Sequence, residues 1–128
     1  MSGMSTYLAN AVINATLRST SFTSPSTVYL ALFLTDPTDG GTGAEVSGAS
    51  YVRKAISLTA PSNGITTNSS AVTFDAATTD WGTVTYIAIY DALTSGNLLY
   101  SDPLTTPETI TTNELFSIPA SGLTITLA

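Results

Sequence analysis

Thr27–Leu34 reads TVYLALFL and Thr83–Tyr90 reads TVTYIAIY, and these two runs decide the fold. Both are dense in β-branched and aromatic residues, the side chains that fit a pleated surface. The first is apolar on both faces, as a strand covered on both sides must be. Working outward, Asp91–Gly96 (DALTSG) makes a hairpin turn into Asn97–Ser101. Tyr51–Thr59 alternates: Val52, Ile56 and Leu58 fall on one face, and Arg53, Ser57 and Thr59 on the other. Ala71–Phe74 reads as a short strand, and Gly122–Ala128 places Leu123, Ile125 and Leu127 on one face. Asp36–Gly48 and Ala60–Ser70 read as loops, and Pro103 and Pro107 bracket a turn before the last short strands.

Upstream the period changes. Over Ser5–Arg18, Met4, Leu8, Val12 and Ala15 share one helical stripe that Ile13 and Leu17 widen. Ser5 is placed to cap the first turn, and the Ser19–Ser26 stretch with Pro25 ends the helix. The expected architecture is all-β, an antiparallel β-sandwich or jelly-roll with one N-terminal α-helix. Residues 1–128 are read as a single domain, with a helical segment over 1–20 and a β-rich body over 27–128.

Composition narrows the function. The chain is 43% hydrophobic but only 9% charged, which excludes intrinsic disorder. Nine acidic residues against three basic ones give a net charge of −6. That balance argues against nucleic acid, whose phosphates need cations, and against anionic membrane. Met1–Leu17 has neither a basic leader nor an unbroken apolar run, so no targeting or membrane segment is expected. With no Cys and no His, thiol chemistry and the commonest general base and transition-metal ligand are missing. The 24 threonines cover strand faces without charge, a surface suited to broad protein contact.

Carboxylates are the remaining catalytic candidates. Asp36, Asp39 and Glu45 share a loop, and Asp75 and Asp80 precede Trp81. Paired acids beside an aromatic are the equipment of a glycosidase, and loop acids are calcium ligands. Yet no pair sits in a cleft-forming pattern, and Asp36-Pro37-Thr38-Asp39-Gly40 lacks the alternating ligands of an EF-hand. The acids are therefore read as turn formers, and neither enzyme activity nor a cofactor or metal is expected. Tyr29, Phe33, Tyr86 and Tyr90 lie inside strand runs and are assigned to the core or the space between sheets. Two Asn-x-Ser/Thr triplets, at Asn14 and Asn68, are no more than such a composition produces by chance.

Several stretches together resemble small virion structural proteins of tailed bacteriophages, commonly labelled tail-fibre or minor tail proteins. They are Tyr7-Leu8, Val28–Phe33, Asp36-Pro37-Thr38-Asp39, Glu45-Val46-Ser47-Gly48 with Tyr51-Val52-Arg53, and Phe74 followed by Trp81-Gly82. Tyr90-Asp91-Ala92, Gly96-Asn97-Leu98-Leu99 and Leu123-Thr124-Ile125 complete the set. No single motif is specific; the order across nearly the whole chain carries the resemblance. It implies a virion structural role and no catalysis, and it supplies no active-site residues.

Because the chain shows neither long repeats nor a heptad shaft, the expected role is a capsid decoration (cement) protein on the outer shell. The alternative is a tail or fibre component, with host glycan as its candidate ligand. The expected partners are the major capsid protein and copies of itself, a trimer in preference to a dimer. The candidate contact residues are Met4, Leu8, Val12, Ile13 and Leu17 on the helix, the alternative being that this arc lies wholly on the protein's own core, together with Trp81, which is read first as a packing anchor at a strand entrance and second as a contact.

Overall fold

The computed structural model describes residues 3–127. Its elements are β1 (Gly3–Met4), α1 (Thr6–Leu17), β2 (Val28–Phe33), β3 (Lys54–Ile56), β4 (Ile65–Thr67), β5 (Val72–Thr73), β6 (Gly82–Tyr90), β7 (Leu98–Ile110), β8 (Ser117–Ile118) and β9 (Thr124–Thr126). The two deciding runs become β2 and β6, which pair antiparallel at the centre of a five-stranded sheet ordered β1-β7-β6-β2-β3. Register follows the alternation. Leu30 faces Ile89 and Leu32 faces Ile87 on one side of the sheet, while Ala31 faces Ala88 on the other.

Both faces are covered, as TVYLALFL requires. The first face joins the main core, where Leu30, Leu32, Ile87 and Ile89 pack with Val72, Phe116, Leu123 and Ile125. The opposite face holds a smaller cluster of Ala31, Phe33, Ala88, Tyr90 and Leu98. Aromatic contacts tie the layers of the main core together. Tyr51 stacks on Phe74 at 6.0 Å and meets Trp81 edge-on at 5.5 Å, and Phe74 meets Phe116 edge-on at 5.9 Å. Each such pair contributes about 1 kcal/mol beyond its buried area.

The all-β class with a single N-terminal helix holds. The second layer is not one continuous sheet: it consists of two separate ribbons, β4–β9 and β5–β8. Their strands are two or three residues long, too short to join edge to edge. β4 lies inside the expected Ala60–Ser70 loop, because its pairing with β9 is a long-range contact that local pattern does not report.

Two further expectations are corrected. Pro103 and Pro107 lie within β7 and do not bracket a turn after it. Val84 pairs with Glu108 but Tyr86 pairs with Pro103, so the chain between the prolines bulges out of the ladder. Proline, lacking an N–H, is tolerated at such a bulge. The second correction concerns Tyr51–Thr59: Arg53 is buried, whereas Val52 and Leu58 are exposed. At the C-terminal strand Leu123 and Ile125 are buried but Leu127 is exposed.

The helix begins where expected. Ser5 has extended backbone, and its Oγ accepts the Leu8 N–H at 3.1 Å, as an N-cap does. The first turn is pinned to the body by two backbone bonds, Ser5 N–H to Leu99 O at 2.9 Å and Thr6 N–H to Asp39 O at 3.1 Å. The helix closes at Arg18, and Ser19 at φ 55° turns the chain away.

Candidate functional site

Four of the five candidate acids, Asp36, Glu45, Asp75 and Asp80, use their carboxylates to hold other groups of the protein. Asp36 Oδ1 accepts the Thr38 N–H at 2.8 Å, which closes its own turn. Asp80 Oδ1 accepts the Thr112 N–H and hydroxyl at 2.9 and 3.0 Å. Asp75 meets Lys54 Nζ at 3.2 Å. Among the described residues, no three acids are grouped to hold a metal ion.

Glu45 is drawn out of its loop toward Arg53. Arg53 Nε and Nη2 donate to the two Glu45 carboxylate oxygens, each at 2.9 Å. Arg53 Nη1 donates to the carbonyls of Ala92 and Ser95 at 2.9 and 2.7 Å, and the guanidinium lies 3.9 Å from the centre of the Tyr90 ring. The Tyr51 hydroxyl donates to Glu45 Oε2 at 2.6 Å and accepts the Leu32 N–H at 3.0 Å. Burial opposes the charge on Arg53, but the hydrogen bonds and charge of Glu45 outweigh it and raise the guanidinium pKa. Burial, then the bond to Glu45, holds the Tyr51 phenol far above its ordinary value. With its carboxylate, guanidinium and phenol committed to one another, this cluster fastens the β6–β7 turn to β2.

Signals for that cluster are present in the sequence. Glu45 and Tyr51-Val52-Arg53 belong to the resembling set, but alternation places Arg53 only on the face opposite Val52, Ile56 and Leu58. Alternation is blind to a charge partner eight residues away.

The contact residues proposed from sequence divide. Trp81 is 4% exposed, and its indole edge lies so close to Gly48 that an added Cβ there would fall 2.2 Å from Trp81 Cδ1. Trp81 is the packing anchor of its first reading, and its burial removes it as a partner contact. Leu8 is likewise buried, and Met4 packs partly buried against the same core. Val12, Ile13 and Leu17 are exposed, Leu17 by 79%. The stripe therefore does not lie wholly on the protein's own body.

Residues 3–126 match a family model described as podophage GP4 fiber I protein gp80. The chain belongs to that family. A comparison with curated proteins gives no match. Membership in the gp80 family agrees with the ordered motifs quoted above and makes this a phage structural protein of fibre type, part of the virion. The stretches quoted from this sequence fall chiefly in β2, in the Glu45–Arg53 cluster and in the β6–β7 hairpin. These stretches thus trace the framework of the sheet.

Proposed function

We propose that this protein is a component of a podophage fibre that works through protein contacts, without catalysis. The observation that carries this reading is the family match across residues 3–126, whose description names a fibre protein. It favours the tail or fibre alternative over capsid decoration, which rested on the want of a repeat or heptad shaft. The acids support the non-catalytic part, since Asp36, Glu45, Asp75 and Asp80 each serve a turn or an ion pair. Its partners are neighbouring virion proteins and further copies of itself.

Labelling intact particles with antibody to this chain tests the location, together with its copy number by quantitative mass spectrometry. Label confined to the tail, with copies on the order of tens, is expected for symmetric fibres. Label over the whole shell, in hundreds of copies, would restore the decoration reading.

A further inference from the structure

Asn63-Gly64 forms the tip of a two-residue hairpin. Asn63 lies at φ 53° and Gly64 at φ 76°, the pair of positive angles that a type I′ turn requires. Two reciprocal backbone bonds close its base, Ser62 N–H to Ile65 O and Ile65 N–H to Ser62 O, each at 3.0 Å. Among the described residues, the peptide between Asn63 and Gly64 is hydrogen-bonded at neither end, and the Asn63 carboxamide holds no partner. Both residues are exposed.

No other asparagine is placed in this way. The chain has six, and the other five precede Ala11, Ala15, Ser69, Leu98 and Glu114, each of which carries a side chain. Three of those five are also tied through their carboxamides. Asn14 Oδ1 accepts from Arg18 Nη1, Asn97 Nδ2 donates to Asp91 Oδ2, and Asn68 holds three backbone groups.

We propose that Asn63 is a site of non-enzymatic deamidation, converted to aspartate and isoaspartate through a cyclic imide with Gly64. The Gly64 nitrogen gives its proton to solvent base and attacks Asn63 Cγ. The N–Cγ bond forms, the Cγ–Nδ2 bond breaks, and the amide leaves as ammonia after taking a proton from water. Water then opens the imide at one carbonyl to give aspartate, or at the other to give isoaspartate. Overall one water is consumed and one ammonia is released, with no oxidant or reductant.

The turn favours ring closure. Flipping its unbonded central peptide carries type I′ to type II′, in which the first central residue keeps its φ and moves its ψ to about −120°. There the Gly64 nitrogen eclipses Asn63 Cβ, as a five-membered ring demands, and both bonds at the base are retained. Glycine takes the accompanying change of its own φ without steric cost and presents no Cβ to the incoming carboxamide.

The product alters the ribbon beside it. Gly64 O accepts the Leu127 N–H at 2.8 Å, and Ile65 faces Thr126 in the β4–β9 register. Isoaspartate adds a methylene to the main chain inside a two-residue turn, so the Ser62–Ile65 pair no longer matches and that end of the ribbon opens. The step uses only this chain and water, so it stands apart from the fibre reading.

The folded, purified full chain, held at neutral and at mildly alkaline pH and followed by intact mass and peptide mapping, tests the site. The chain has no glutamine, so a deamidation mass gain arises only at asparagine. The gain should map to Asn63, run faster at the higher pH and be abolished in Asn63→Gly, which accepts the same positive φ. Hydrogen exchange at the Ile65 and Leu127 amides should be on the order of tenfold faster in the isoaspartate form than in the fresh chain. A folded chain that gains no mass, whether or not the chain in urea gains it, would overturn the proposal, as would a gain mapped to another asparagine. Unchanged exchange in the isoaspartate form would overturn the consequence for the ribbon.

Discussion

Arg53 closes on Glu45 through two hydrogen bonds of 2.9 Å, and its third nitrogen holds the carbonyls of Ala92 and Ser95, thirty-nine and forty-two residues away in sequence. One side chain thereby joins the loop after β2, the segment leading into β3 and the hairpin turn between β6 and β7. The Arg53 side chain is 7% exposed and that of Glu45 is 24%. A guanidinium is suited to this position because its planar fork meets the carboxylate and its remaining donors reach the turn.

Arg53→Met should lower stability by roughly 3 kcal/mol, since it leaves Glu45 half-buried without its cation and two turn carbonyls unpaired. Arg53→Lys should recover only part of that loss, because an ammonium cannot span both sets of acceptors. Urea unfolding checks both; a loss below about 0.5 kcal/mol for Arg53→Met would show that the network is not a fastening.

Alkaline pH should weaken the fold through Tyr51. Its folded-state pKa is raised, first by burial and then by Glu45, whereas in the unfolded chain it titrates near its ordinary value of about 10. The contribution is therefore complete below about pH 10 and is lost as pH rises above it, where the unfolded chain has released a proton that the folded one keeps. Tyr90 and Tyr100, also raised by burial, act in the same direction. Tyr51→Phe should flatten the fall of stability between about pH 10 and 11, measured by denaturant titration at each pH. An unchanged slope would count against the assignment.

Gly48 makes room for Trp81. A Cβ there would lie 2.2 and 2.4 Å from Trp81 Cδ1 and Nε1, so the indole or the loop must shift. Gly48→Ala is expected to cost about 2 kcal/mol by overpacking and to change the near-ultraviolet dichroism of Trp81, the chain's single tryptophan.

Asn68 is fully buried and serves as a hub. Its Oδ1 accepts the Leu123 N–H at 2.9 Å, and its Nδ2 donates to the carbonyls of Ser70 and Pro119, each at 2.9 Å. Asn68→Ala strands three backbone groups and should cost roughly 3 kcal/mol. Hydrogen exchange should show the β4–β9 ribbon opening first, and uniform protection loss across the sheet would argue against this local role.

Taken alone, the sequence determined the class of fold, the two central strands, the Ser5 cap, the β6–β7 hairpin and the phage structural family. These are properties of local period, local capping and ordered motifs, each written within a few residues or in plain succession along the chain. Tertiary structure decided the rest. Arg53 turned inward because Glu45 and the 92–95 turn converge on it, and a buried ion pair outranks alternation when its partners are supplied by other segments. Leu127 faces outward for the same kind of reason: exposure depends on which distant segments arrive, and period fixes only which residues share a face. The helix face at Val12, Ile13 and Leu17 could be recognised as apolar from its spacing, but that the body leaves it uncovered is visible only in the folded molecule.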